Sequence, residues 1–308
     1  MKYSSKQHYV PQFYLKNFCQ SKTNLLYCYD KTSNNRFLTN IQNIAEENLF
    51  YGINRLIRDE FEKSFSKAET KYYSPSYQEF LKKKNYSIIS YESKKWFFVF
   101  LAFQMIRTLQ ARKIFKESYK SLIRELRKEK LAKKLDKQVS FVEKNLTNDD
   151  FFKAVHLKSL LPPYDKLFEL AKFFFNKKWV ILTNRTDIQL WTSDHPLSFY
   201  NSFNYEGNLG ILSKGVEIRF PLSKNLLLYS YDPRTTPPKL NKEKISNKEV
   251  EFANMCQLRS STRFVYSPEN KFEPAKQYLE KYPKFKDPDR NHFSIFTSGK
   301  LIEYIVLE

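Results

Sequence analysis

The sequence predicts an α+β fold in which a helical middle section packs on a mainly antiparallel β-sheet built from sequential hairpins. Apolar residues recur at helical spacing through much of residues 54–176, and beyond residue 177 the runs become strand-like. Short apolar runs then follow one another across turn-forming spacers, without regular strand–helix alternation. Because no Gly/Ser linker separates the halves, we expect one composite domain, 1–308. Its one candidate subdivision is a mainly helical part with an N-terminal hairpin, 1–177, and a mainly antiparallel β part, 178–308.

The N-terminal part predicts a hairpin followed by an amphipathic helix. The runs 25–29 and 36–39 flank a turn-rich spacer, which favours a hairpin. Residues 54–70 carry apolar side chains three and four positions apart, which predicts a helix. Glu62 and Glu69 lie two turns apart along one face of it, so both carboxylates would flank the same groove if that face is buried.

Residues 91–137 predict one long helix or two joined helices, because no Pro or Gly interrupts them. The first half is apolar nearly all round, as in a central buried helix, so Gln104 and Arg107 would be polar groups that need partners. The second half is rich in lysine and arginine. We interpret it either as a basic arm on a phosphate backbone or as a solvated helix face. Its candidate substrate-binding residues are Arg112, Lys113, Arg124, Arg127 and Lys128.

The C-terminal part predicts three antiparallel strand pairs, one helix and one further strand. These are the pairs 178–183 with 188–192, 216–221 with 225–231 and 293–296 with 301–307, the helix 247–259 and the strand 262–266. Residues 140–176 before them are predicted to be helical, with a break at Pro162 and Pro163.

The formal net charge of +20 indicates a polyanionic partner. Nucleic acid is the natural candidate, because neutralising phosphates releases counterions. The alternative is that A/T-rich codons raise the lysine content without any partner. Three cysteines without a CxxC pair argue against a disulfide framework and a cysteine zinc cluster. With no signal peptide and no apolar run of membrane-spanning length, we expect a cytoplasmic protein that contacts no membrane.

The run 192–196 is the sharpest polar cluster and lies at the exit of a predicted strand. Strand ends present polar side chains from a rigid scaffold, so Asp194 could hold a cation or orient a base, with Ser193 and His195 binding substrate. The alternative is a turn in which the Asp194 side chain caps backbone amides. Neighbouring strand residues face opposite sides, so Asp194 and His195 are not expected to bond each other.

The run 8–18 places His8 and Gln12 at the entry to a short apolar helix that begins near Pro11. Gln12 would lie in the first turn, near free amide donors that favour an anion. The alternative is that His8 caps the helix and Gln12 anchors the segment.

No conventional signature of a nucleotide-binding loop, a zinc protease or a serine hydrolase occurs in the sequence. Carboxylates and histidine are still sufficient for a hydrolytic site that uses a hard metal ion. Glu62, Glu69 and Asp194 are the candidate ligands, and Mg²⁺ or Mn²⁺ is the candidate ion.

Further segments accompany these motifs: an Ile-Ala-Glu block leading to Phe50 and Tyr51, and the runs 103–108, 220–223 and 263–267. Together with 8–18, 192–196, Glu62 and Glu69, they resemble the bacterial and phage-associated proteins known as domain of unknown function 4238. Two positions depart from that pattern. His195 stands where Asn is frequent, and Leu109 stands where Pro usually follows the Arg-Thr pair.

The resemblance implies no activity, but it implies that certain polar side chains belong together in one pocket. They are His8, Gln12, Glu62, Glu69, Gln104, Arg107, Ser193 and Asp194, with Pro196 beside them. Gln12 and Gln104 are the further candidate substrate-binding residues of this pocket. Because His195 occupies a position where Asn is frequent, Asp194 is the stronger catalytic candidate of the two.

We therefore expect a nucleic-acid-directed, metal-dependent hydrolase, acting as a nuclease-like toxin or an anti-phage defence effector. Asp194, Glu62 and Glu69 would hold one or two divalent cations. His8 would act as general acid or base, and Arg107 would stabilise phosphate charge. One alternative is a non-catalytic sensor that binds a nucleotide or nucleic acid in the same pocket. Another is a buried polar network that stiffens the junction of the two halves.

Overall fold

A computed structural model describes residues 6–48, 50, 55–128, 136–160, 165–201, 213–235 and 244–290. The α-helices are α1 (Gln12–Leu15), α2 (Arg55–Ala68), α3 (Ser74–Lys83), α4 (Tyr91–Ile106), α5 (Leu109–Lys128), α6 (Asp136–Lys144), α7 (Asp149–Leu160), α8 (Asp165–Phe175), α9 (Asn247–Ser260) and α10 (Glu273–Lys281). The strands are β1 (Lys6–His8), β2 (Leu25–Asp30), β3 (Asn35–Asn40), β4 (Glu46–Asn48), β5 (Lys178–Thr183), β6 (Thr192–Ser193), β7 (Ser198–Asn201), β8 (Val216–Ser223), β9 (Leu226–Tyr231) and β10 (Phe264–Ser267). The predicted α+β fold is confirmed.

The strand pairs of the described residues are antiparallel and form three sheets. The strand orders are β1-β4, β3-β2-β10-β6 and β5-β9-β8-β7. The predicted hairpins β2–β3 and β8–β9 are confirmed. In the second sheet, strands from before and after residue 177 lie side by side, so the candidate boundary at 177 does not divide the sheets. The predicted pair 293–296 with 301–307 lies outside the described residues.

The predicted hairpin of 178–183 with 188–192 is wrong. β5 pairs with β9, and the end of the second run forms β6, which pairs with β10 in another sheet. The spacer folds locally instead, because the Asn184 side-chain oxygen accepts the Thr186 amide at 2.9 Å. The Leu190 amide then donates to the Lys224 carbonyl at 3.0 Å, which directs the second run away from β5.

α4 is the central buried helix that its apolar surface predicts. Its residues from Phe97 to Ile106 are all buried. The ring of Phe97 stacks on Phe80 of α3 at 3.8 Å, and Phe98 lies 5.3 Å from the ring of Trp179 on β5. Burial of each such side chain contributes about 1.5–3 kcal/mol. The position of the α4 C-terminus, which carries Gln104, is therefore firmly fixed.

Of the two alternatives predicted for 91–137, two joined helices is confirmed through residue 128, with a break between α4 and α5 where neither Pro nor Gly stands. Thr108 ends the continuity. Its hydroxyl oxygen accepts the Ala111 amide at 3.3 Å, which caps the start of α5. The same hydroxyl bonds Nδ1 of His195 at 2.7 Å. A tertiary contact thus fixes the break.

The opening run joins distant parts of the fold through Tyr14 of α1. The buried Tyr14 hydroxyl bonds the Thr192 hydroxyl at 2.6 Å and donates to the Pro221 carbonyl at 2.9 Å. Tyr77 of α3 donates in the same way to the Leu222 carbonyl. The run 8–18 therefore rests on both β6 and β8.

Tyr14→Phe is expected to lower the free energy of unfolding by about 1–2 kcal/mol, because it leaves the buried Pro221 carbonyl without its donor and the Thr192 hydroxyl without its acceptor. Urea unfolding followed by circular dichroism measures the loss. Tyr91→Phe is the matched control, since the Tyr91 side chain is 74% exposed and should tolerate the change. Equal stability of the two variants would contradict the assigned role of Tyr14.

Candidate functional site

An open cleft of about 560 Å³ lies beside β1 and α1, against the α2–α3 helical segment. We name it the His8 cleft. Its lining residues are Lys6, His8, Pro11, Gln12, Phe13, Phe65, Ser66, Glu69, Thr70, Ser74, Pro75, Gln78 and Arg107. Of the residues predicted from the sequence to share a pocket, His8, Gln12, Glu69 and Arg107 meet here. They come from segments up to about a hundred positions apart, so the fold and not the chain order assembles them.

A π-helical turn, Glu69–Tyr73, joins α2 to α3 along one wall of the cleft. Pro75 has no N–H to donate to the carbonyl four residues earlier, and its ring would clash there in a regular helix. A wider turn relieves that conflict. Such turns are rare and frequently lie at functional sites. The sequence prediction ended the helix at residue 70, and Pro75 was the signal that it passed over.

Arg107 is buried in the cleft wall, with 1% of its side chain exposed. Its Nη1 lies 3.3 Å from a carboxylate oxygen of Glu69, and its Nη2 donates to the His8 carbonyl. The guanidinium also covers the ring of Phe65, 4.1 Å from its centre. A buried charge requires such partners. Arg107 is thus a positioning residue that ties His8 to Glu69, which differs from the predicted direct contact with phosphate.

His8 is half-buried at the cleft wall. Its Nε2 lies 3.3 Å from the Ile41 carbonyl oxygen and 3.5 Å from the exposed Gln12 amide nitrogen, so the tautomer decides which bond forms. Burial lowers the pKa of His8; Glu46 opposes this shift, and Arg107 adds to it. The imidazole is therefore neutral at pH 7 and able to accept a proton.

Of the two glutamates predicted for the site, only Glu69 has a described side chain. The Glu69 side chain is 24% exposed and keeps contact with solvent beside Arg107. Glu62 lies on α2, but its side chain is outside the described part of the structure. Among the residues that the structure does describe, no group of three or more His, Cys, Asp or Glu side chains has the arrangement of a metal site.

Asp194 does not share the cleft, so the expectation of one pocket is wrong for this residue. It is 1% exposed, and its carboxylate accepts the backbone amides of Thr262 at 2.7 Å, Arg263 at 2.7 Å and Phe264 at 2.9 Å. Burial raises the pKa of the Asp194 carboxyl, although Lys31 and these three amides act in the opposite direction. The carboxylate caps the start of β10, a use that leaves little capacity for a metal ion.

Lys31 lowers the pKa of the Asp194 carboxyl from a buried position, and it was not singled out from the sequence. Its ammonium group is fully buried and donates to the Leu258 carbonyl at 3.2 Å and the Ser261 hydroxyl at 3.0 Å. A cation at the C-terminus of α9 is favoured by the helix dipole. Burial, with Arg290, lowers the pKa of Lys31 to about 7, and Asp194 acts in the opposite direction. The two groups therefore belong to one buried polar network between β2, β6 and α9.

The neighbours of Asp194 belong to the same buried network and not to an open site. The Ser193 hydroxyl donates to the Gln257 side-chain oxygen at 2.9 Å, and the Gln257 amide donates to the Pro196 carbonyl at 2.8 Å. His195 bonds Thr108, as described above, and burial together with Arg290 lowers the pKa of His195 to about 3. Ser193 and His195, predicted to bind substrate, instead hold this turn against α9 and α5. Gln257 was not singled out from the sequence.

Gln104, also predicted to bind substrate, lies behind the His8 cleft. Its side chain is 1% exposed and donates to the Tyr9 carbonyl at 3.0 Å. Its side-chain oxygen has no hydrogen-bond partner among the described residues. Gln104 thus supports the strand that carries His8.

The predicted basic arm is committed to protein contacts at its start. Arg112 donates to the Phe50 carbonyl at 2.6 Å and to Nδ1 of His156 at 3.3 Å. Lys113 pairs with Asp289 at 2.6 Å. These contacts argue against phosphate binding by either residue. Arg124 is exposed, and the side chains of Arg127 and Lys128 are outside the described residues.

A family model described as Protein of unknown function (DUF4238) matches residues 6–271. The matched range contains both the His8 cleft and the Asp194 network. No curated protein matches the chain, and no solved structure matches it. None of the helices in the described ranges has both the length and the apolar character needed to cross a bilayer.

Proposed function

The chain belongs to the DUF4238 family, and we propose that it is a nucleic-acid-directed hydrolase whose reaction centre is the His8 cleft. The convergence of His8, Gln12 and Glu69 on one open cleft, in front of the buried Arg107, carries this proposal. Clefts with a few convergent polar groups and a titratable residue of shifted pKa are typical of reaction centres.

His8 is the general base of the proposed reaction. Its neutral imidazole takes a proton from a water molecule as the water oxygen bonds to phosphorus and the P–O ester bond breaks. The leaving oxygen is then protonated by the imidazolium, directly or through water. Arg107 fixes the His8 carbonyl and therefore the direction in which the ring projects.

Mg²⁺ or Mn²⁺ belongs to the metal-dependent form of this proposal. Glu69 and Glu62 are the ligands in that form, because hard divalent cations prefer carboxylate oxygens. Arg107 lies 3.3 Å from Glu69 and weakens its attraction for a cation. Metal dependence is therefore tested separately from hydrolysis.

The substrate class rests on charge and on hydrogen-bond donors. The net charge of +20 attracts a polyanion. The cleft lining adds Gln12, Ser66, Thr70 and Gln78, whose amides and hydroxyls can donate to phosphate oxygens. A toxin or an anti-phage effector is the biological role that this activity would serve.

His8→Gln is expected to slow cleavage of labelled single-stranded DNA, duplex DNA or RNA by about 10²–10⁴-fold, the usual contribution of a general base. Purified protein is incubated with each substrate in Mg²⁺, in Mn²⁺ and in EDTA, and products are resolved by electrophoresis. The lowered pKa of His8 predicts that the rate holds its plateau below pH 6.5 before it falls.

His195→Asn is the matched control, because His195 is buried away from the cleft and the amide can still bond Thr108. It should cleave at the wild-type rate. Absence of cleavage by wild type on all three substrates would overturn the hydrolase, as would wild-type activity in His8→Gln. Activity that persists in EDTA would remove only the metal from the proposal.

A non-catalytic sensor is the second candidate, and the pairing of Arg107 with Glu69 favours it. The two charges neutralise each other at 3.3 Å, which leaves a pre-organised hydrogen-bonding surface beside His8 and Gln12. Calorimetric titration with nucleotides and oligonucleotides separates the two functions. Salt-dependent binding that returns the ligand intact after long incubation supports the sensor.

A further inference from the structure

A second open groove, of about 430 Å³, lies at the other end of the opening helical segment. It is lined by the turn 19–24, by Lys16 and Asn17, and by Lys224 from the β8–β9 turn. We name it the Lys16 groove. The Gln20 amide donates to the Leu25 carbonyl at 2.8 Å, and the Lys224 amide donates to the Asn17 carbonyl at 3.3 Å. Backbone bonds therefore hold both walls in place.

The Lys16 groove carries positive charge on three lysines. Its lining contains Lys16, Lys22 and Lys224 and no Asp or Glu. Within the described ranges, none of these lysines has a carboxylate at ion-pair distance. On α5, by contrast, Lys113 and Lys116 pair with acidic residues. Positive charge available to a polyanion is thus found in this groove and not at the start of the predicted basic arm.

The Cys19 thiol at the groove floor is not reactive, so the groove is suited to binding a ligand and not to thiol chemistry. Cys19 is buried there, and burial raises the pKa of its thiol to about 11, although Lys16 and Lys224 act in the opposite direction. The thiol is therefore protonated at neutral pH. In the remaining lining, Asn17 and Thr23 donate to backbone carbonyls. Gln20, Ser21 and Asn24 carry amide and hydroxyl donors that suit phosphate oxygens.

The groove and the His8 cleft are connected by one exposed helix face. Gln12 lines the cleft and Lys16 lines the groove, and both are exposed. Residues four apart lie on the same side of a helix, about 6 Å along its axis. At about 3.4 Å of rise for each nucleotide, a strand covers that interval in roughly two nucleotides.

We propose that the Lys16 groove binds the phosphodiester backbone of a nucleic acid strand that passes over α1 into the His8 cleft. The path into the cleft rests on the proposed function, whereas phosphate binding by the groove stands without it. Lys16, Lys22 and Lys224 neutralise successive phosphates, and Asn24 donates hydrogen bonds beside them.

The test is binding of labelled single-stranded DNA and RNA oligonucleotides of mixed sequence, followed by fluorescence anisotropy over a range of salt. The groove variant carries Lys16→Gln, Lys22→Gln and Lys224→Gln. Loss of three phosphate contacts should reduce the slope of log Kd against log salt by about 2 and weaken binding about tenfold or more at low salt. The matched control carries Lys82→Gln, Lys248→Gln and Lys276→Gln, which remove the same charge from exposed sites elsewhere. It should retain nearly the wild-type slope.

Equal slopes of log Kd against log salt for the groove variant and the control variant would overturn the proposal. A groove variant with the wild-type slope and affinity would also overturn it. If the groove variant loses binding to phosphatidylserine vesicles but keeps the oligonucleotides, the partner is an anionic lipid surface and the proposal fails. A slope change without any cleavage by wild type leaves the groove proposal intact and overturns only the hydrolase.

Discussion

Asp194→Ala is expected to lower the free energy of unfolding by about 3–5 kcal/mol, because each buried amide that loses its acceptor costs about 1–3 kcal/mol. The substitution leaves the amides of Thr262, Arg263 and Phe264 without their acceptor. It also removes the carboxylate that raises the pKa of Lys31, which burial and Arg290 already lower to about 7. Chemical denaturation in urea measures the loss. Asp194→Asn keeps an acceptor oxygen and should lose less.

Asp187→Ala is the matched control for that series, because Asp187 is exposed in a neighbouring turn. Its expected effect is within about 0.5 kcal/mol. A stable Asp194→Ala protein that has lost hydrolysis would contradict the structural role and return Asp194 to the reaction centre. The two roles thus predict opposite results from one variant.

Stability is expected to fall as the pH drops from 7 to 5, because two buried histidines must stay neutral. Burial, with a nearby arginine in each case, lowers the pKa of His156 and of His195 to about 3. Above pH 6.5 both are neutral in the folded and unfolded chains and add no pH dependence. Below it the unfolded chain takes up protons that the folded chain refuses, at up to about 1.4 kcal/mol per pH unit for each histidine. At pH 5 the two together cost roughly 4 kcal/mol.

Urea unfolding at pH 7, 6 and 5 checks this slope. His156→Gln and His195→Asn should each remove about half of it, since neither amide titrates and each can keep one hydrogen bond of the ring. Carboxylates affect stability only at lower pH. Burial raises the pKa of Asp30, but hydrogen bonds from Arg263 and Thr32 outweigh burial and hold that pKa at about 2. Equal wild-type stability at pH 7 and 5 would contradict the prediction.

Local patterns predicted those elements whose partners are close in the chain or whose surface is uniformly apolar. The hairpin β2–β3 was predictable because its spacer has turn chemistry, and the buried helix α4 was predictable because its residues from Phe97 to Ile106 are almost all apolar. The failed hairpin at 178–192 shows the limit. Turn residues are present there too, but Asn184 uses its side chain to close a local turn, and β9 offers β5 a longer partner.

The candidate site was predictable in its residue types but not in its grouping. His8 and Gln12 are neighbours by helical spacing, whereas the contact of Arg107 with Glu69 crosses 38 positions and depends on how α4 lies against α2. Asp194 looked equally suitable from the sequence. Burial and three backbone amides gave it a structural use, and burial is a property of the whole fold.

The sequence by itself determined the α+β class, the buried central helix, the strong positive charge and the polar residues that mark the family. Only the tertiary structure decided which of those residues share a cleft, which of the described lysines pair with an acidic residue and that Asp194 is buried. Periodicity is a property of short segments, and net charge is a sum over the whole chain, so both can be read from the sequence. Solvent exposure and pairing depend on surfaces that meet only when distant segments pack, and they decide whether a polar group binds a ligand or the protein itself.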